Sequence, residues 1–150
     1  MPTTMKALTL WQPWASLIAL GEKRIETRCW QTLYRGELAI HAAAKLPPRW
    51  LGASMHGNEF RNELAAVLNV RWDYVDAAIR NLPYGAIVAI ARLVSIEETD
   101  RIRDVLCERE LLFGNYEEGR YAWHLALVKK FDAPIPAKGN RLLWNWKITF

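Results

Sequence analysis

The chain has 150 residues, 51% of them hydrophobic and 24% charged, with a net charge of +4 and an isoelectric point near 9.2. That length predicts a single domain, residues 1–150, able to bury roughly 70% of its unfolded surface without staples. Two cysteines far apart, Cys29 and Cys107, with no C-x-x-C spacing, exclude a disulfide framework and a structural zinc site. No apolar run approaches the ~18 residues of a membrane span, and no secretory-signal pattern opens the chain, so a cytoplasmic, monomeric protein is expected.

In chain order, Met5–Leu10 reads as a short strand and Gln12–Leu20 as a helix. Pro13 falls in its first turn, where a missing N–H is harmless, and Gly21 stops it. Arg24–Trp30 and Glu37–Ala43 read as strands, and the double proline of Lys45–Trp50 predicts a loop. Asn58–Asn69 and Trp72–Leu82 read as two helices, so residues 50–82 form a helical insertion. Gly85–Ile96 is apolar on both faces and is expected to be a central strand. Thr99–Leu112 reads as a charged helix, Tyr121–Phe131 and Arg141–Phe150 as strands, and Asp132–Asn140 as the loop between them. The whole predicts an α+β fold, a small mixed β-barrel with peripheral helices.

The segment Gly21-Glu-Lys-Arg-Ile-Glu-Thr-Arg28 concentrates the chemistry. Period 2 on a strand sends Ile25 and Thr27 to one side and Arg24, Glu26 and Arg28 to the other. Two readings compete: a solvated strand face bearing a weak surface ion pair, or a site in which Lys23 and Arg28 hold phosphate or carbonyl oxygens. In the second, Glu26 accepts from a base amine or acts as a base, making Lys23 and Glu26 the candidate catalytic pair. Thirteen of the twenty basic residues are arginines, which favours bidentate recognition of phosphate or bases.

Around that segment, Trp11 is placed to stack a base and Gln12 to read a base edge, while Trp14 reads as core. His41 ends an apolar strand, where it can shuttle a proton or serve structure. Lys45, Arg49, Lys138 and Arg141 lie in loops, the usual home of binding groups. Tyr121 and Trp123 share one strand face, lining either a cleft or the core. His41, His56 and His124 have no metal-ligand spacing, so neither a metal nor a cofactor is expected.

Gln12-Pro-Trp-Ala-Ser, Gly-x-Lys-x-x-Glu-x-Arg at 21–28, Trp30, and Arg35-Gly-x-Leu-x-Ile-His-Ala-Ala43 together resemble the ASCH family, the activating-signal-cointegrator homology domain. Pro134-Ile-Pro-Ala-Lys-Gly139 before an aromatic strand is similar too. The resemblance implies a PUA-like barrel binding RNA or a modified nucleoside in a cleft containing Lys23, Glu26 and Arg28, with Lys138 on its rim. It also implies two enzymatic alternatives, a ribonuclease and an amidohydrolase of acetylated cytidine. The latter resembles this chain at Gly-x-Lys but uses Lys, a Thr three residues later and a distant Glu. Here that position is Glu26, and Thr27, one step on, faces the opposite side. A rival from another class is a DNA-binding helix-turn-helix over Asn62–Arg80, although Asp73 and Asp76 would open its recognition helix with charges that repel DNA.

Overall fold

The computed structural model describes residues 3–48 and 57–149. Arg49, Trp50, His56 and the first part of the expected insertion lie outside them. Six strands form one mixed sheet: β1 (Thr4–Leu10), β2 (Ile25–Arg28), β3 (Gly36–Ala42), β4 (Ala86–Glu98), β5 (Tyr121–Pro136) and β6 (Leu143–Lys147). Their spatial order is β2-β5-β4-β3-β1-β6; β1 and β3 run parallel and the other pairs antiparallel. The sheet curls into a half-barrel of mixed α+β type, with a few helices packed around it.

The expected central strand is β4, third in the order, buried along Ala86–Ala91 on both faces as its unbroken apolar run requires. Helix α1 (Trp14–Ala19) ends where Gly21 adopts φ +76°, a left-handed conformation that glycine enters freely. Leu8, Leu10, Ile18, Leu38, Ile40, Leu93 and Trp123 build the main core inside the curl. A second core joins Leu17 of α1 to Phe60 and Leu64 of α2 (Asn58–Leu68), Val75 of α3 (Val75–Arg80) and Phe113 of α4 (Glu108–Phe113).

Three expectations are corrected. Thr99–Leu112 is not one helix but two 3-10 turns (Thr99–Arg101, Arg103–Val105) before α4. The hydroxyl of buried Thr99 donates towards the carbonyls of Glu117 and Arg120, which binds the segment to the strand approach instead of letting it coil on. Asp132–Pro136 belongs to β5 and not to a loop. β2 pairs only with Tyr121–His124, so the far half of β5 is bonded to β4 alone, and an open border and a register shift accommodate Pro134 and Pro136. Finally, α3 is six residues long behind a 3-10 turn (Trp72–Tyr74), and its Asp76 is held by Arg61 at 2.9 Å. This is too short for the recognition helix that the helix-turn-helix alternative needs.

Candidate functional site

The register of β2 against β5 decides what its charged face sees. Glu26 stands opposite Trp123, which is fully buried, and Arg28 opposite Tyr121. Both partners belong to the main core or pack on it. The face bearing Glu26 and Arg28 therefore looks into the curl, and the solvated-strand reading is corrected. Arg24, by contrast, is exposed just before the strand, and its main-chain N–H donates to Glu110 of α4.

Lys23 is enclosed completely. Its amine donates to the main-chain carbonyl of Ile25 and, at 2.8 Å, to that of Phe113, and lies 3.8 Å from Glu26 Oε1. Burial pushes its pKa below the ordinary lysine value; Glu26 and Glu110 oppose that shift, and Arg28 adds to it. Glu26 Oε2 accepts from Nε of Arg28 at 3.1 Å and lies 3.1 Å from Nη2 in the ion pair. Nη2 also donates to the main-chain carbonyl of Thr9, 2.8 Å away on β1. β1 and β2 are separated by three strands in the sheet, so this guanidinium spans the curl where no ladder does. The Arg28 side chain stays 23% exposed, the open end of an otherwise buried charge cluster.

Thr9 is also the meeting point of a neutral network. Trp144 Nε1–H donates to Thr9 Oγ1 at 3.0 Å, Thr9 Oγ1 lies 3.1 Å from His41 Nδ1, and His41 Nε2 lies 2.7 Å from the carbonyl of Ala137. A carbonyl only accepts and an indole N–H only donates. Nε2 must therefore carry the proton, and the hydroxyl donates to Nδ1. Burial lowers the His41 pKa, against a smaller upward effect of the Ala137 carbonyl. Gly139 closes over this chain: a Cβ there would come within 2.6 Å of the His41 ring and 2.8 Å of Thr9 Oγ1, so glycine is what lets the loop lie so close.

The remaining candidates arrange themselves about these two networks. Gln12 is fully buried; its amide donates to Ser16 Oγ and the Pro83 carbonyl, and its carbonyl accepts from the Ser16 N–H. Both amide donors are engaged inside the protein, which corrects the base-edge role in favour of positioning α1 against the turn before β4. Trp11 is partly buried beside it, and Trp14 packs on Phe60 as the core reading requires. Lys45 and Lys138 are exposed. Their loops converge on Gly85, whose N–H donates to the carbonyls of Ala42 and Ala43 and whose carbonyl accepts from Ala137. In the ladder Arg28 lies at the Glu98 end of β4, and Lys45 and Lys138 flank its Ala86 end; Thr9 links the two, its carbonyl held by Arg28 and its hydroxyl covered by Gly139. Arg141 is exposed further along.

Thr27 occupies the other face of β2, as its register demands, and its hydroxyl accepts from the Asn115 N–H at 3.0 Å. Because the carbonyl of Arg24 accepts from Leu125 of β5, the carbonyls of Ile25 and Thr27 point away from that strand. Lys23 fills the first and Arg120 Nη2, at 3.1 Å, the second.

Three residues of this region escaped the sequence reading: Thr9, Glu110 and Trp144. A threonine between Leu8 and Leu10 in an apolar strand was a signal for the first. Nothing in Glu108-Arg-Glu110 distinguishes Glu110, buried near Lys23, from its neighbour. Glu110 Oε2 and the hydroxyl of buried Tyr116 have no hydrogen-bond partner among the described residues. Burial together with Glu110 and Glu26 pushes the Tyr116 pKa far above its usual value. Among the described residues, no three His, Cys, Asp or Glu side chains group as metal ligands, and no helix is long and apolar enough to cross a membrane.

Comparison with known proteins finds a family, two curated relatives and a solved structure. The family model described as ASCH domain matches residues 8–135. Activating signal cointegrator 1 of Homo sapiens is 55% identical over 40 residues, and that of Mus musculus 52% over 40 residues. Each match covers 27% of this chain and spans only 7% of the length of the relative. Among solved structures, a mutant ASCH protein of Zymomonas mobilis aligns at a TM-score of 0.47 and 16% identity, covering 87% of this chain and 74% of that one.

Proposed function

The chain belongs to the ASCH domain family, and on that premise we propose that it binds RNA, or a modified nucleoside within RNA, across Thr9, with Arg28 on one side and Lys45 and Lys138 on the other. The observation that carries this reading is the continuous path from Arg28 through Thr9 to Gly139. It places a partly open guanidinium beside the loop that bears Lys138. Arg28, oriented by Glu26, is the base or phosphate contact; Lys45 and Lys138 are phosphate contacts, and Trp11 is the stacking candidate. Lys23 and Glu26 act from beneath, holding Arg28 in place. Gln12 and His41 position the elements around it.

The test is fluorescence anisotropy with tRNA and a short single strand across a salt series. Lys138→Ala is expected to weaken binding several-fold, with no change in melting temperature, and to reduce the slope of log affinity against log salt by about one. Salt-independent affinity, or none, overturns the proposal.

The hydrolase alternatives draw less support. An attacking lysine must first leave two carbonyls and emerge from complete burial, and the nearby hydroxyl, that of Thr27, is on the other face. Release of cytidine from N4-acetylcytidine, lost in Lys23→Met, would reinstate that reading.

A further inference from the structure

We propose a second nucleobase-binding surface, built by Trp72 and Tyr74 on the 3-10 turn between α2 and α3, that engages an unpaired base of the same RNA chain. It rests on the RNA-binding reading above but uses none of its residues. Trp72 is 47% exposed and Tyr74 56%, two large aromatics presented to water from one turn. The Trp72 ring is firmly held. The Arg61 guanidinium lies 4.5 Å from the centre of the Trp72 ring, while its Nη2 donates to the Trp72 carbonyl and its Nη1 to Asp76. Arg61 is itself buried, so it is a fixed support under one part of the indole and leaves the rest open. Arg71 lies 5.7 Å from the Tyr74 ring.

Tyr74 and Arg71 also line an open cleft of about 380 Å³, together with Val70, Ala77, Ala78 and Asn81. That volume lies at the lower end of small-ligand sites. Small apolar residues, a flat ring, a guanidinium and one amide suit a planar heterocycle with a polar edge and an adjacent phosphate. The two acids that would repel such a chain are matched: Asp76 by Arg61 at 2.9 Å and Asp73 by Arg71 at 3.5 Å. Trp72, already ordered by the buried Arg61, loses little freedom on stacking, which favours this occupant over one that must mould the surface.

The test uses the full chain with labelled oligouridine and a mononucleotide, comparing Tyr74→Ala, Tyr74→Phe and Lys138→Ala. Tyr74→Ala should weaken oligouridine binding roughly five- to tenfold, leave the melting temperature unchanged because the ring is exposed, and be rescued by Tyr74→Phe. Ultraviolet cross-links should map to the segment 70–81. If Lys138→Ala weakens binding but Tyr74→Ala does not, the second surface is overturned while the first stands. That outcome also assigns the patch to a protein partner or to none. If the wild-type chain binds neither probe, both readings fall together.

Discussion

Two networks meet at Thr9 and are built on opposite principles. On one side, Lys23, Glu26 and Arg28 alternate in charge and end at the Thr9 carbonyl. On the other, Trp144, the Thr9 hydroxyl, His41 and the Ala137 carbonyl form a neutral relay in which every proton position follows from its neighbours. The neutral relay is closed at both ends, by an indole donor and a carbonyl acceptor, so it fixes structure and has no group left to offer. The charged one is closed at Lys23 and open at Arg28, which makes it the arm able to address a ligand. Histidine and lysine, the residue types most readily taken for catalysts, are here the anchored ones.

The largest effect that tests this contrast is expected from Lys23→Met, which keeps the bulk but strips two buried carbonyls and Glu26 of a donor. Denaturant unfolding should show a loss of about 3–5 kcal/mol. Full stability with abolished ligand binding would mean that Lys23 is a reactive group and not an anchor. Next comes Glu26→Gln, isosteric but uncharged. Since Glu26 is buried and Arg28 only partly so, a loss of about 2–3 kcal/mol is expected, with ligand affinity falling at least tenfold as Arg28 loses its orientation. Unchanged stability and binding would remove Glu26 from both roles.

The smallest effect concerns the neutral arm and pH. The folded protein holds His41 below its ordinary pKa of about 6.5, so the unfolded chain takes up the proton first. The contribution of neutral His41 is complete above about 6.5 and is lost as pH falls through the lower folded value. His41→Gln, compared with wild type in thermal melts across that window, should flatten the acid-side decline. An identical decline in both would assign it to other groups.

Much of this was legible in the residues, and the parts that were not share a cause. Gly21 marked the end of α1, and the two-sided apolar run of 85–96 marked the centre of the sheet, because each depends on local backbone or burial pattern. Period 2 correctly paired Glu26 with Arg28 and set Thr27 apart. It could not say which face was inside, because that depends on Trp123 arriving opposite Glu26 from almost a hundred residues away. Gln12 looked available for the same reason: its partners are the Ser16 side chain and a carbonyl 71 positions on. Asp132–Pro136 extends β5 despite its prolines, and the information missing from the sequence was that β2 stops short of them.

The border of β2 carries one more consequence. It is the last strand on its side of the sheet, and a terminal strand ordinarily offers a row of free main-chain groups to any extended peptide, including a second copy of the same protein. Here the carbonyls of Ile25 and Thr27 are already occupied by the side chains of Lys23 and Arg120. A visiting strand would have to displace a buried amine and a guanidinium before it could form its first bonds. The amine that sits beside Glu26 is therefore also a cap on the border of the sheet.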